Sequence, residues 1–177
     1  MTKRYAINWS IWIGIVVGVY AVLYTFSPLY AYGCMPCTFV ALPLYFLAGA
    51  KKEDFADFCT SACMGVVWGL IFLWGIGKLM TSFGWIEPFA NAANIFFWTA
   101  VLCAFHFIVN AKTPVFSKVP MMFGGISSTF MLGAENWWVI MLTLCFGVLL
   151  AFLCQCGTLL LDETGHWKFL KEKKTEV

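Results

Sequence analysis

Met35-Pro-Cys-Thr-Phe-Val-Ala-Leu-Pro-Leu-Tyr-Phe-Leu-Ala-Gly-Ala50 and Val119-Pro-Met-Met-Phe-Gly-Gly-Ile-Ser-Ser-Thr-Phe-Met-Leu-Gly-Ala134 align without a gap. They share Pro36/Pro120, Phe39/Phe123, Phe46/Phe130, Gly49/Gly133 and Ala50/Ala134. The first runs into Lys51-Lys52, the second into Glu135-Asn136. Downstream, Cys63-Met-Gly-Val-Val and Cys145-Phe-Gly-Val-Leu line up again after a two-residue shift, and each leads on to a glycine, Gly75 and Gly157. The chain reads as a duplicated unit, with repeats at about 5–80 and 85–161, whose matching ends carry opposite charge.

The rest of the composition says where such a unit lives. Apolar residues make up 62% of the 177 residues and charged ones only 11%, with a mean hydropathy of +0.83. A soluble domain carries about a quarter charged residues, so this is an integral membrane protein. Its length accommodates six spans of roughly 20 residues with short loops. We place them at 9–27, 35–50, 55–79, 88–110, 119–134 and 136–160. That makes one all-α transmembrane domain over 1–161, followed by a basic tail at 162–177.

Of the eleven basic residues only Lys78 falls near an odd-numbered span end; Lys3, Arg4, Lys51, Lys52, Lys112, Lys118, Lys168, Lys171, Lys173 and Lys174 share the other side. The positive-inside rule makes that side cytoplasmic and both termini with it. The basic, amphipathic tail suits anionic headgroups. The first apolar run lacks a small-x-small cleavage site and is needed as partner of the fourth span, so it reads as retained rather than as a signal peptide.

Three crossings per half is an odd number, so the second half enters the membrane upside down and the fold is expected to be an inverted 3+3 repeat. The second and fifth segments are the shortest. Pro43 interrupts one, removing a backbone donor; Gly124 and Gly125 loosen the other by roughly 1 kcal/mol each relative to alanine. Freed backbone groups cannot face lipid, so they belong in protein or along a watery cavity. Broken segments at matching places in two halves point to a midplane solute site, the alternative being tight packing through small residues.

The expected path runs between those segments. Phe39, Tyr45 and Phe123 would form an apolar constriction, and Thr38, Ser127, Ser128 and Thr129 with free carbonyls would replace water around a solute. Glu87, Asn91 and Asn94 form one polar stripe on the fourth span, either an outer vestibule or an interfacial acid with two interhelical amides. His106, further along the same helix, could gate by titration or simply bond a neighbouring helix. Cys34 and Cys37 form a CxxC near the external mouth, suited to thiol exchange or to packing as small apolar residues.

There is no phosphate-binding loop, zinc signature, hydrolase motif or basic stripe for nucleic acid, so no cofactor or resident metal and no catalytic role are expected. The leading expectation is a homo-oligomeric channel or facilitator for a small neutral or weakly charged solute, with the lipid bilayer as its other partner. The alternatives are a membrane thiol oxidoreductase using Cys34 and Cys37, and a non-transporting accessory subunit.

Cys37-Thr38, Met64-Gly-Val-Val-Trp-Gly69 and Ser117-Lys-Val-Pro120, with the following Phe-Gly-Gly and Ser-Thr-Phe, carry a family likeness. Over most of its length the chain resembles the YcdZ-like bacterial inner-membrane proteins (domain of unknown function 1097). The resemblance implies a multi-span inner-membrane fold and brings no assigned activity; Cys34 and the basic tail depart from its pattern. A looser architectural likeness to six-helix urea, amide and acetate channels transfers no residue, since the acetate channels' Asn-Pro-Ala-Pro motif is missing.

Overall fold

The computed structural model describes residues 1–109 and 113–169. Six main helices account for most of them: α1 (Lys3–Thr25), α2 (Pro36–Leu47), α3 (Phe55–Phe83), α4 (Glu87–Val109), α6 (Val119–Leu132) and α7 (Trp137–Cys156). A single helical turn, α5 (Pro114–Ser117), leads into α6. No strand occurs among the described residues beyond one isolated bridge, Leu161 to Trp167.

Local sequence sets the ends. Thr2 caps α1 by accepting the Tyr5 amide. Ser27-Pro28 then turns the chain into a 3-10 segment that stops at Gly33, whose φ of 67° is cheap for a residue without Cβ. Pro36 opens α2 at a position where its missing N–H costs nothing. Helix α3 runs to Gly84 at φ 67°, past the expected end at 79, because Met80 and Thr81 continue the helix beyond the apolar core. The predicted end of the fourth span at 110 and the tail beyond Phe169 lie outside the described residues, as do Lys112, Lys171, Lys173 and Lys174.

Helices α1, α3, α4 and α7 are long and apolar enough to cross a bilayer, whereas α2 and α6 are shorter apolar helices. At 1.5 Å per residue, the 12 residues of α2 cover about 18 Å and the 14 of α6 about 21 Å, against a hydrocarbon thickness of roughly 30 Å. Each short helix is carried by a long one: α6 lies along α3, and α2 along α7.

These two pairings are close enough that backbone meets backbone. A Cβ on Gly65 of α3 would fall 2.2 Å from the Met122 carbonyl oxygen of α6, and a Cβ on Gly147 of α7 would fall 2.3 Å from the Thr38 carbonyl oxygen of α2. No residue but glycine fits at either crossing. Around them the main core gathers Ala41, Tyr45, Ala62, Val66, Val148 and Ala151 from α2, α3 and α7. A smaller cluster joins Leu102 of α4 to Met122 and Ile126 of α6.

Helices α1 and α4 sit outside this core. The 3-10 turn after α7 sends the Gly157 amide to Cys154 and Gln155, and the Trp12 indole N–H reaches the Leu153 carbonyl at 2.9 Å while Trp9 reaches that of Cys154 at 3.1 Å. Carbonyls at a helix end need outside donors, so these indoles bind α1 to α7. The start of α1 is clasped by the turn after α7: Asn8 donates to the Gly165 carbonyl at 2.8 Å and Thr2 to that of Thr164. At the α3 start, Asp54 pairs with Lys118 at 2.7 Å, above the Phe58 ring.

Candidate functional site

The polar residues of the two short helices are the natural place to look, and the structure disposes of their hydroxyls in two ways. Thr38 is fully buried. Its hydroxyl donates to the Thr143 carbonyl at 3.3 Å and meets the Tyr20 hydroxyl. One turn further along α1, the Tyr24 hydroxyl lies 3.3 Å from the Thr143 hydroxyl. The result is a cluster of four hydroxyls, three of them on buried residues and the fourth on half-buried Tyr20, tying α1, α2 and α7 together. In α6, Ser128 and Thr129 are equally buried but donate within their own helix, to the Gly124 and Gly125 carbonyls at 2.8 and 2.9 Å.

Tyr45 is buried against Phe58, and its hydroxyl donates to the Lys51 carbonyl at 2.5 Å. Phe39 and Phe123 are 43% and 38% exposed on the outside of the bundle, as are Pro43 and Ser127. The three rings expected to form a constriction are thus not brought together. Between the short helices, a Cβ on Gly124 would lie 3.2 Å from side-chain carbons of Val40 and Leu44, so α2 and α6 touch there. Gly125 faces the other way, onto the α3 backbone at Ala62.

On α4, Glu87 is exposed, Asn91 half-buried and Asn94 buried. Asn94 donates to the Phe72 carbonyl at 3.0 Å, and Gly75 leaves room for its carbonyl oxygen, so this amide holds α4 to α3. The His106 ring packs beside Phe107, and its Nδ1 is buried with no hydrogen-bond partner among the described residues.

All eight cysteines are free thiols. Cys34 and Cys37 are buried, and the Cys34 thiol donates to the Tyr32 carbonyl. Burial pushes the Cys34 pKa above the ordinary thiol value, because a thiolate would lose its hydration there. A different sulfur pair is in contact: Cys63 of α3 and Cys145 of α7, with Sγ atoms 3.9 Å apart. Among the described residues no three ligating side chains are grouped so as to hold a metal.

Hollows open on the surface formed by the described residues. One of about 590 Å³ lies between α1 and α7, its wall formed by Val16, Val19, Tyr20, Phe146 and Leu150. Another, of about 290 Å³, is bordered by Cys59, Cys63, Met64 and Val115. Neither lies between α2 and α6. Sequence reasoning missed Tyr20, Tyr24 and Thr143, although a threonine in the middle of the most apolar span and two tyrosines one turn apart are the kind of intramembrane polar groups that find partners across helices.

Long apolar helices carrying two short ones, with hydroxyls buried between them, define a polytopic helical membrane protein. The chain belongs to the family described as protein of unknown function (DUF1097), which matches residues 10–158; this is consistent with the YcdZ-like resemblance. Comparison with curated proteins and with solved structures returns no match.

Proposed function

We propose that this protein is a facilitator for a small neutral or weakly charged solute in the bacterial inner membrane. In this reading it is an inverted 3+3 repeat with both termini cytoplasmic, it works as a homo-oligomer and it performs no catalysis. The observation that carries the reading is the pair of glycine contacts. Gly65 and Gly147 each stand two residues after the matched cysteines, and Met122 and Thr38 each stand two residues after the matched prolines. Gly65 meets the Met122 carbonyl and Gly147 meets that of Thr38: the same contact, made twice between the halves, with the roles exchanged. Cys63 and Cys145, matched in the repeat, touch each other, as residues beside a two-fold axis must.

Two half-length helices related in this way are the arrangement in which secondary transporters and channels place midplane sites. In the conformation described, passage requires α2 and α6 to part where Gly124 meets Val40 and Leu44. Ser10, Gly14 and Gly18 lie exposed one turn apart on α1, and among the described residues no other part of the bundle lies within 4 Å of where a Cβ on either glycine would stand; small residues at this spacing favour close helix association, which supports self-assembly.

Two measurements test the proposal. Accessibility tags at residues 51 and 135 should report opposite sides of the membrane, and the same side for both would remove the mirrored halves. Liposomes carrying the protein should pass at least one of urea, short amides, ammonia, formate, acetate or small diols, and Gly124→Leu should lower that flux without loss of helix content. The snug α2/α6 contact favours a second reading, a non-transporting accessory subunit, and absence of flux for every solute would select it.

A further inference from the structure

The sequence draws attention to Cys34 and Cys37 as the thiol pair, but both are buried and Cys34 is occupied by a backbone carbonyl. The sulfurs that meet are 82 residues apart in the chain. Cys63 Sγ and Cys145 Sγ lie 3.9 Å from one another at the crossing of α3 and α7. Cys59, one helical turn before Cys63, has a thiol that also interacts with that of Cys145. The arrangement is open on one side, since Cys59 and Cys63 border the hollow of about 290 Å³ next to Val115. A small molecule can therefore reach Cys63 while Cys145 stands behind it, and an accessible sulfur with a second one in contact is the geometry of an attacking thiol beside its resolving partner.

We propose that Cys63 and Cys145 are a redox-active pair that closes into a disulfide between α3 and α7, with a small hydroperoxide as the oxidant. Cys63 Sγ attacks the peroxide O–O bond and becomes a sulfenic acid, and the thiol proton leaves with the departing oxygen as water or alcohol. Cys145 Sγ then attacks the sulfenic sulfur; the S–S bond forms, the S–O bond breaks, and the second thiol proton leaves with the hydroxyl as water. Two electrons pass from the sulfurs to the peroxide oxygens. Apart from any transport role, the closed bond would fix α3 against α7, and attack by the Cys59 thiol on Cys145 would shift the link to Cys59–Cys145 and return a proton to the released Cys63 sulfur.

The test uses the full chain in lipid nanodiscs, treated with hydrogen peroxide, labelled with a maleimide and mapped as peptides. The expected result is a link between the Cys63 and Cys145 peptides, with maleimide labelling at both positions reduced about tenfold and recovered after dithiothreitol. Cys145→Ala should abolish the link and leave a trappable sulfenic acid at Cys63. Labelling of both cysteines unchanged by peroxide would overturn the proposal, as would a link confined to Cys34 and Cys37. The wild-type measurement decides the matter even if the variant does not assemble.

Discussion

The α3/α6 and α2/α7 pairs solve the same problem with different chemistry. Each brings a carbonyl oxygen of a short helix onto a glycine of a long one. In α2/α7 the hydroxyls near the contact then bond across helices, Thr38 to Thr143 and both to tyrosines of α1. In α3/α6 the hydroxyls of Ser128 and Thr129 turn back onto their own helix. The difference is energetic as well as geometric. Helices in a bilayer stay helical when they separate, so an intrahelical bond survives separation and contributes little to assembly, whereas an interhelical bond is lost.

The comparison can be broken most severely at the shared feature. Gly65→Val or Gly147→Val would force carbon against a carbonyl at 2.2–2.3 Å and should cost more than about 3 kcal/mol, the upper end of overpacking, seen as loss of monodisperse protein in detergent. Gly14→Val and Gly18→Val should leave thermal stability within about 0.5 kcal/mol of the parent, because among the described residues no neighbouring element lies within 4 Å of a Cβ at either position. Their effect should appear in the oligomeric state instead.

Smaller effects sharpen the contrast. Asn94→Leu removes the amide bond to the Phe72 carbonyl and should cost about 1 kcal/mol in a reversible unfolding assay, in the range measured for interhelical bonds in membranes. Thr143→Val should cost about the same, and Ser128→Ala less than about 0.5 kcal/mol; equal losses for the two would refute the distinction between bonds across helices and bonds within one. Least of all to stability, but plain in rate, Cys34 should alkylate slowly at neutral pH. Its raised pKa leaves little thiolate there, and labelling should climb with pH beyond the range of an ordinary thiol.

Hydropathy made the six main helices legible, because each is a continuous apolar run. It misplaced their ends where polar residues are good helix formers. Helix α1 begins at Lys3 rather than 9, since the Thr2 cap and the Lys3-Arg4 pair continue the helix outside the apolar run. Helix α7 stops at Cys156 rather than 160, where Gly157 tightens into a 3-10 turn, and the single turn α5 has no hydropathy signal at all. Within the candidate site, burial of Thr38, Ser128 and Thr129 follows from polarity in an apolar run. The partners of Thr38 do not. Thr143 lies 105 residues away and Tyr20 on another helix again, a relation that only packing establishes. Phe39 and Phe123 align in the repeat but point outward, as a residue shared by two halves does when both present it to lipid.

The attachment of α1 has a bearing on biogenesis. Its indoles hang from carbonyls that follow by as many as 145 residues in the chain, and its first turn is clasped by a loop later still. At a translation rate of 5–20 residues per second, α1 waits on the order of ten seconds in the membrane before the α7 carbonyls that hold its indoles exist. Until then it is tied to the growing bundle through the Tyr20–Thr38 contact with α2, while Gly14 and Gly18 stand uncovered beside any neighbouring nascent chain.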